Sequence, residues 1–166
     1  MLNSMQQPRS KKIRAINLVV ILMAIVILSA CAGSKPAPAE EARIQAVVEE
    51  FGQKLKLVSL LSPTAAEDLK TQYSNYVSAP LLQQWMGTPE KAPGRMVSSP
   101  WPDRIEISSI RKTMTGEYSV TGNIVEITSA EVSSGGFTDK IPIQITVKNS
   151  GGSWLIVDYS QEKSQP

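Results

Sequence analysis

The sequence predicts an α+β domain, two to three helices packed on a curved four-stranded antiparallel sheet. Three observations carry that expectation. Apolar residues recur at three- and four-residue steps from Glu40 to Val77, then at steps of two from Asp103 to Tyr159. A stretch rich in proline and glycine, residues 87–102, separates the two regimes. Turn sequences TGE (115–117), SSGG (133–136) and NSGG (149–152) then cut the second regime into four strands.

Ahead of the domain, Arg9, Lys11, Lys12 and Arg14 precede an apolar run from Ala15 to Leu28, and small residues lead on to Cys31, the one cysteine. Charged, apolar and small-residue regions in that order describe an export leader. The competing reading is an uncleaved membrane span, which needs about 20 apolar residues. The uninterrupted run here, Leu18 to Leu28, has 11. Leu28-Ser29-Ala30-Cys31 resembles the lipobox of bacterial lipoproteins. That resemblance implies diacylglycerol on the Cys31 thiol and a cut before it, so that Cys31 becomes the first mature residue. One buried acyl chain anchors marginally and two or more anchor firmly, at roughly 0.8 kcal/mol per CH₂. It also implies an address on the extracytoplasmic face of a bacterial cell membrane, or on the outer membrane of a host with two. The expected organisation is a leader over 1–30, a lipidated cysteine and linker over 31–39, a domain over 40–160 and a disordered tail over 161–166.

The linker AGSKPAPA (32–39) has no apolar period and reaches roughly 25 Å at about 3.1 Å per residue. From Glu40 one apolar stripe forms: Ile44, Val47, Val48, Phe51, Leu55 and Val58. Gly52 interrupts this helix and marks close contact with the sheet. Ser62-Pro63 starts a second helix, with Thr64 and Glu67 spaced as a capping box and Leu69, Tyr73, Tyr76 and Val77 as its stripe. LLQQWM adds a short third helix stopped by Gly87. Residues 87–102 read as a loop holding Trp101 between two prolines, either a plug for one end of the core or the rim of a pocket.

In the first strand Ile105 and Ile107 alternate with charge, and Ile110 breaks parity as a bulge near Ser108-Ser109 would. In the second, Tyr118, Val120 and Ile124 share a face, Gly122 interrupts it, and Val125 and Ile127 continue the apolar character; a kinked, curved strand fits. The third alternates cleanly at Ile141, Ile143, Ile145 and Val147. SWLIVDY is apolar on both parities and is expected where both faces are covered, and the polar residues after Tyr159 are expected to fray.

Four of the 17 cations lie in the leader and all 15 acids follow Cys31, so the exported part carries a net charge near −2. That gives no basic footprint for nucleic acid. There is no histidine, and once Cys31 is alkylated there is no thiol. Disulfides, the usual zinc ligands, histidine triads and imidazole acid–base chemistry are thereby excluded. No metal or cofactor is expected beyond the diacylglycerol on Cys31.

The order of elements, with NSGGSWLIVDY (149–159) as a Gly-rich turn, Trp and closing strand, resembles the nuclear transport factor 2-like superfamily, a cone also described as cystatin-like. Its enzymes place carboxylates, tyrosines and often histidine inside the cone. Many other members are non-catalytic domains of envelope, transfer or cell-wall proteins. This chain has no histidine and no Asp-Tyr arrangement that aligns with the enzymes, so the resemblance implies a non-catalytic domain.

Glu40/Glu41, Glu49/Glu50 and Glu67/Asp68 are adjacent pairs on helices; neighbours in sequence do not share a face, so they read as solvated. Glu126 and Asp158 lie in apolar strands, either facing water or buried with a raised pKa. Tyr73, Tyr76, Trp85, Trp101 and Trp154, with those two acids, form the candidate pocket for a ligand or partner; the alternative is that the aromatics are core. Three functions follow. The first is a membrane-anchored envelope lipoprotein whose domain binds a protein partner or itself. The second is a carrier of a small apolar ligand in the cone. The third is a carboxylate-dependent enzyme using Glu126 or Asp158.

Overall fold

The computed structural model describes residues 37–162, so the leader, Cys31 and the last four residues lie outside it. Helix α1 (Pro38–Lys54) has proline and two acids, Glu40 and Glu41, in its first turn and Lys54 in its last, the arrangement its dipole favours. It buries Ile44, Val48 and Phe51 completely, and the stripe continues through Leu55 to Val58. The chain then tightens into a 3₁₀ turn at Leu55–Leu57. Two shorter helices follow, α2 (Ala65–Tyr73) and α3 (Ala79–Gly87). Among the described residues no helix is long and apolar enough to cross a membrane.

Four strands, β1 (Trp101–Lys112), β2 (Tyr118–Ile127), β3 (Asp139–Ser150) and β4 (Ser153–Gln161), form an antiparallel meander in the order β1-β2-β3-β4. The fold is therefore α+β with helices on a four-stranded antiparallel sheet, as expected. β1 is bulged between Ile107 and Ser109, which returns Ile110 to the face of Ile105. Opposite the bulge sits Gly122, where an added methyl would overlap the Glu106 carbonyl oxygen. Gly52 is the crossing point of α1 and β1, since a Cβ there would lie 2.8 Å from the Ile105 nitrogen. At the β3–β4 turn Gly151 and Gly152 have φ of 61° and 91°, the left-handed pair that a two-residue hairpin needs.

Five expectations need correction. Thr64 stands at the start of α2, but its backbone (φ −96°, ψ 8°) is not the extended form that aims a capping oxygen at the helix; its hydroxyl donates to Asp68 instead, at 3.2 Å. Trp101 belongs to β1, paired with Ile127, and not to the loop. A fourth helix, α4 (Ser129–Ser134), precedes Gly135; Thr128 and Glu131 make the capping box that starts it. β4 is an edge strand. Its mixed parity comes from a bulge between the pairs Thr146↔Asp158 and Val147↔Ile156, which turns both Ile156 and Tyr159 inward. Part of its free edge is closed by the backbone of 76–78: Ile156 N–H donates to the Tyr76 carbonyl and Ser78 N–H to the Ile156 carbonyl, both at 2.8 Å. The strand also runs on through Gln161 rather than fraying after Tyr159.

α1 runs antiparallel to β1, and this gives the domain two distinct ends. At the near end, where the linker joins, the Tyr118 hydroxyl donates to Glu40 at 2.6 Å beside Lys112. At the far end Lys56 meets Asp103 at 3.6 Å. With 17 residues α1 separates the two by about 25 Å.

Candidate interaction surface

The seven aromatic and acidic residues singled out from the sequence are not gathered into one pocket. Tyr73 and Trp85 are buried in the core with Phe51. Phe51 meets Tyr73 edge-on at 4.9 Å between ring centres and stacks with Trp85 at 6.4 Å, and Trp85 meets Tyr159 edge-on at 5.8 Å. Aromatic rings therefore occupy the middle of the space between the helices and the sheet. The Tyr73 hydroxyl donates to the Pro93 carbonyl at 2.7 Å, and burial, with Tyr159 close by, pushes its pKa above the usual phenol range. Tyr76 packs half-buried at the margin of this core.

Trp154 stands at the near end, edge-on to Tyr118 at 5.3 Å. Tyr118 ties it to α1 through Glu40, whose carboxyl is held below its usual range chiefly by that hydrogen bond and further by Lys112. Asp158 is exposed opposite Thr146. Glu126 is half-buried opposite Asp139, and burial first, then the Asp139 charge, raises its pKa. A carboxyl with a raised folded-state pKa holds its proton more tightly in the native state, so stability falls as pH rises through the carboxylate range. Glu126→Gln is expected to flatten that decline in urea midpoints measured across pH 4 to 7; identical slopes would refute the burial of Glu126.

The sheet's outer face carries two features that the sequence reading missed. Glu106 bridges Arg104 at 2.6 Å and Lys140 at 2.5 Å, and Arg104 also meets Asp103 at 3.0 Å. Arg104 and Lys140 are the cross-strand neighbours of Val125 on either side. Their stems explain how Val125 is buried while Ile124 points into the core. Alternating charges on β1 were visible in sequence, but the partner on β3 required the register. Beside this network lies an open trough of about 410 Å³ lined by Ser108, Thr121, Asn123, Pro142, Gln144 and Glu162 among others. It contains no helix residue, which places it on the outer face.

The far end is different in character. Val58 to Leu60 lies beside Arg95, joined by hydrogen bonds from Arg95 N–H to the Val58 carbonyl at 2.8 Å and from Leu60 N–H to the Arg95 carbonyl at 2.9 Å. This pairing brings the backbone near Leu57 and Leu61 beside that of Met96 and Val97, and each of the four side chains is between 48 and 67% exposed. Val132 and Phe137, also exposed, lie on the connection between β2 and β3 at the same end. Of the large exposed apolar side chains described, Met114 alone lies at the near end, in the β1–β2 turn.

No protein-family model and no curated protein matches the chain. Among solved structures it is similar to a designed nuclear transport factor 2-like protein, at 11% identity and a TM-score of 0.37, covering 75% of this chain and 96% of that one. It is similar also to the intermembrane-space region of the chloroplast protein ARC6, at 14% identity and a TM-score of 0.36, covering 79% of this chain and all of that one. Both likenesses are weak, and the fold rests on the strand order and pairing described above.

Proposed function

We propose that this chain is a bacterial envelope lipoprotein, anchored by diacylglycerol on Cys31, whose domain docks a protein partner and catalyses no reaction. The observation that carries the docking reading is the placement of exposed apolar side chains. Leu57, Leu61, Met96, Val97, Val132 and Phe137 collect at the end farthest along α1 from the linker. Exposed apolar surface gathered in one region marks interaction sites, and Phe137 is in part engaged within the fold, with the Lys140 ammonium 4.6 Å from its ring centre. An end remote from the tether is also the part best placed to reach another protein. The lipobox resemblance at Leu28-Ser29-Ala30-Cys31 supports the anchor. A carrier needs room inside, and there the rings of Phe51, Tyr73 and Trp85 touch one another.

Chemical cross-linking of the full-length protein in intact cells tests this reading. The wild type is expected to give a discrete heteromeric adduct that is kept by Met114→Lys and lost in the Leu61→Lys, Val97→Lys double variant, with the melting temperature little changed because all three sites are exposed. An adduct insensitive to the far-end substitutions would refute it.

A further inference from the structure

The far-end surface carries a charge that the fold leaves unanswered. Among the described residues, the buried side-chain nitrogens without a hydrogen-bond partner are Trp154 Nε1 and Arg95 Nε. Arg95 is half-buried, and its backbone is fixed on both sides by Val58 and Leu60. No acid among the described residues pairs with it. Arg104, also half-buried, is held by Asp103 and Glu106, while Arg43 and Arg111 are exposed to water. Arg95 is therefore the described arginine that is both part-desolvated and unpaired. Its Nε is withdrawn from water without an acceptor, which is unfavourable, while its two terminal nitrogens are not among the buried unpaired atoms. An incoming carboxylate answers the unpaired charge at those terminal nitrogens, and its planar pair of oxygens matches the two parallel N–H groups they present. Leu57, Leu61, Met96 and Val97, all exposed, lie within two residues of Arg95 or of Ser59, its bridge partner, and an arginine among exposed apolar residues is the kind of group that dominates an interface.

Resting on the docking reading, we propose that Arg95 is the anchoring cation of the far-end surface and that the occupant is an amphipathic segment of a second protein bearing an Asp or Glu among apolar residues. The carboxylate accepts from the Arg95 guanidinium, and the apolar residues cover Leu57, Leu61, Met96 and Val97. A second copy of this chain is a poor occupant. Its amphipathic acidic helices are α1, with Glu40, Glu41, Glu49 and Glu50, and α2, with Glu67 and Asp68, and the apolar stripes of both are buried in their own core.

The test uses the full-length protein in the bacterium with a photoreactive amino acid at Met96, and separately at Met114 and at Gln144 in the outer trough. Each adduct is purified and its cross-linked segment sequenced. The expected result is a protein adduct at Met96 whose segment contains a carboxylate among apolar residues. Arg95→Glu should lower its yield about tenfold or more, and Arg95→Lys should lower it less, because the charge remains and the fork is lost. Circular dichroism of both variants confirms that they fold; if Arg95→Glu does not, the comparison is made with Arg95→Gln. An unchanged yield, a segment without carboxylates, an adduct of twice the chain mass or an adduct with lipid alone would overturn the proposal. Protein adducts confined to Met114 or Gln144 overturn the role of Arg95 and leave docking elsewhere on the domain intact. An absence of protein adducts at all three positions overturns both.

Discussion

Replacing Gly122 by alanine is expected to destabilise the domain by about 3 kcal/mol. The added methyl has no room, because it would overlap the Glu106 carbonyl oxygen, which belongs to the bulged strand across the sheet. A flexible side chain can rotate away from such an overlap, but a backbone carbonyl in the middle of a sheet moves only with its strand. Relief would thus separate β1 from β2 where the bulge sets the parity of Ile110. With a urea slope of about 2 kcal/mol per molar for a domain of this size, the midpoint should fall by about 1.5 M. An unchanged midpoint would mean that β1 and β2 do not approach as described.

Phe51→Ala is expected to cost about 4 kcal/mol, at the upper end for core truncations. Phe51 is fully buried, and it touches both Tyr73 and Trp85. Those rings cannot collapse freely into the space left. Tyr73 is held by its hydrogen bond to Pro93, and Trp85 is set edge-on against Tyr159. The void should persist, and the variant's melting temperature should recover in part when a small aromatic such as benzene is added, as a dry apolar cavity allows. Loss of less than about 1 kcal/mol would show that the rings do not fill the interior.

The elements that were legible in sequence share one property: their signal is local. The stripe of α1 could be read from Ile44 to Val58, the bulge from the parity of Ile110, and the hairpin from two successive glycines. Gly52 and Gly122 were also legible as interruptions, because a glycine in a regular element has a reason, and here the reason is close approach of backbone. α4 was missed although Thr128 and Glu131 stand at capping-box spacing. With six residues and no buried member it presents no periodicity. β4 was misread because a bulged edge strand and a strand covered on both faces look alike in composition: both put apolar residues on both parities.

The surface was less legible than the core. The aromatics chosen from sequence proved to be core or core margin for Tyr73, Tyr76, Trp85 and Trp154, because a large ring at helical or strand spacing carries no mark of whether it meets a ligand or a neighbour. Leu57, Leu61, Met96 and Val97 drew no attention because 34 residues or more separate the two pairs in the chain. The pairing of Arg95 with Val58 and Leu60 brings them together. A surface patch assembled from distant segments has no sequence period to betray it.

The proposed function requires that a lipid-bearing cysteine attach the chain to a membrane. Intact mass spectrometry of the full-length gene product, extracted from membranes by detergent, tests it most directly. The expected product is a chain that begins at Cys31 and carries diacylglycerol, with Cys31→Ala leaving the leader uncut and the lipid absent. A native chain with an unmodified Cys31, or one cleaved at another position, would contradict it.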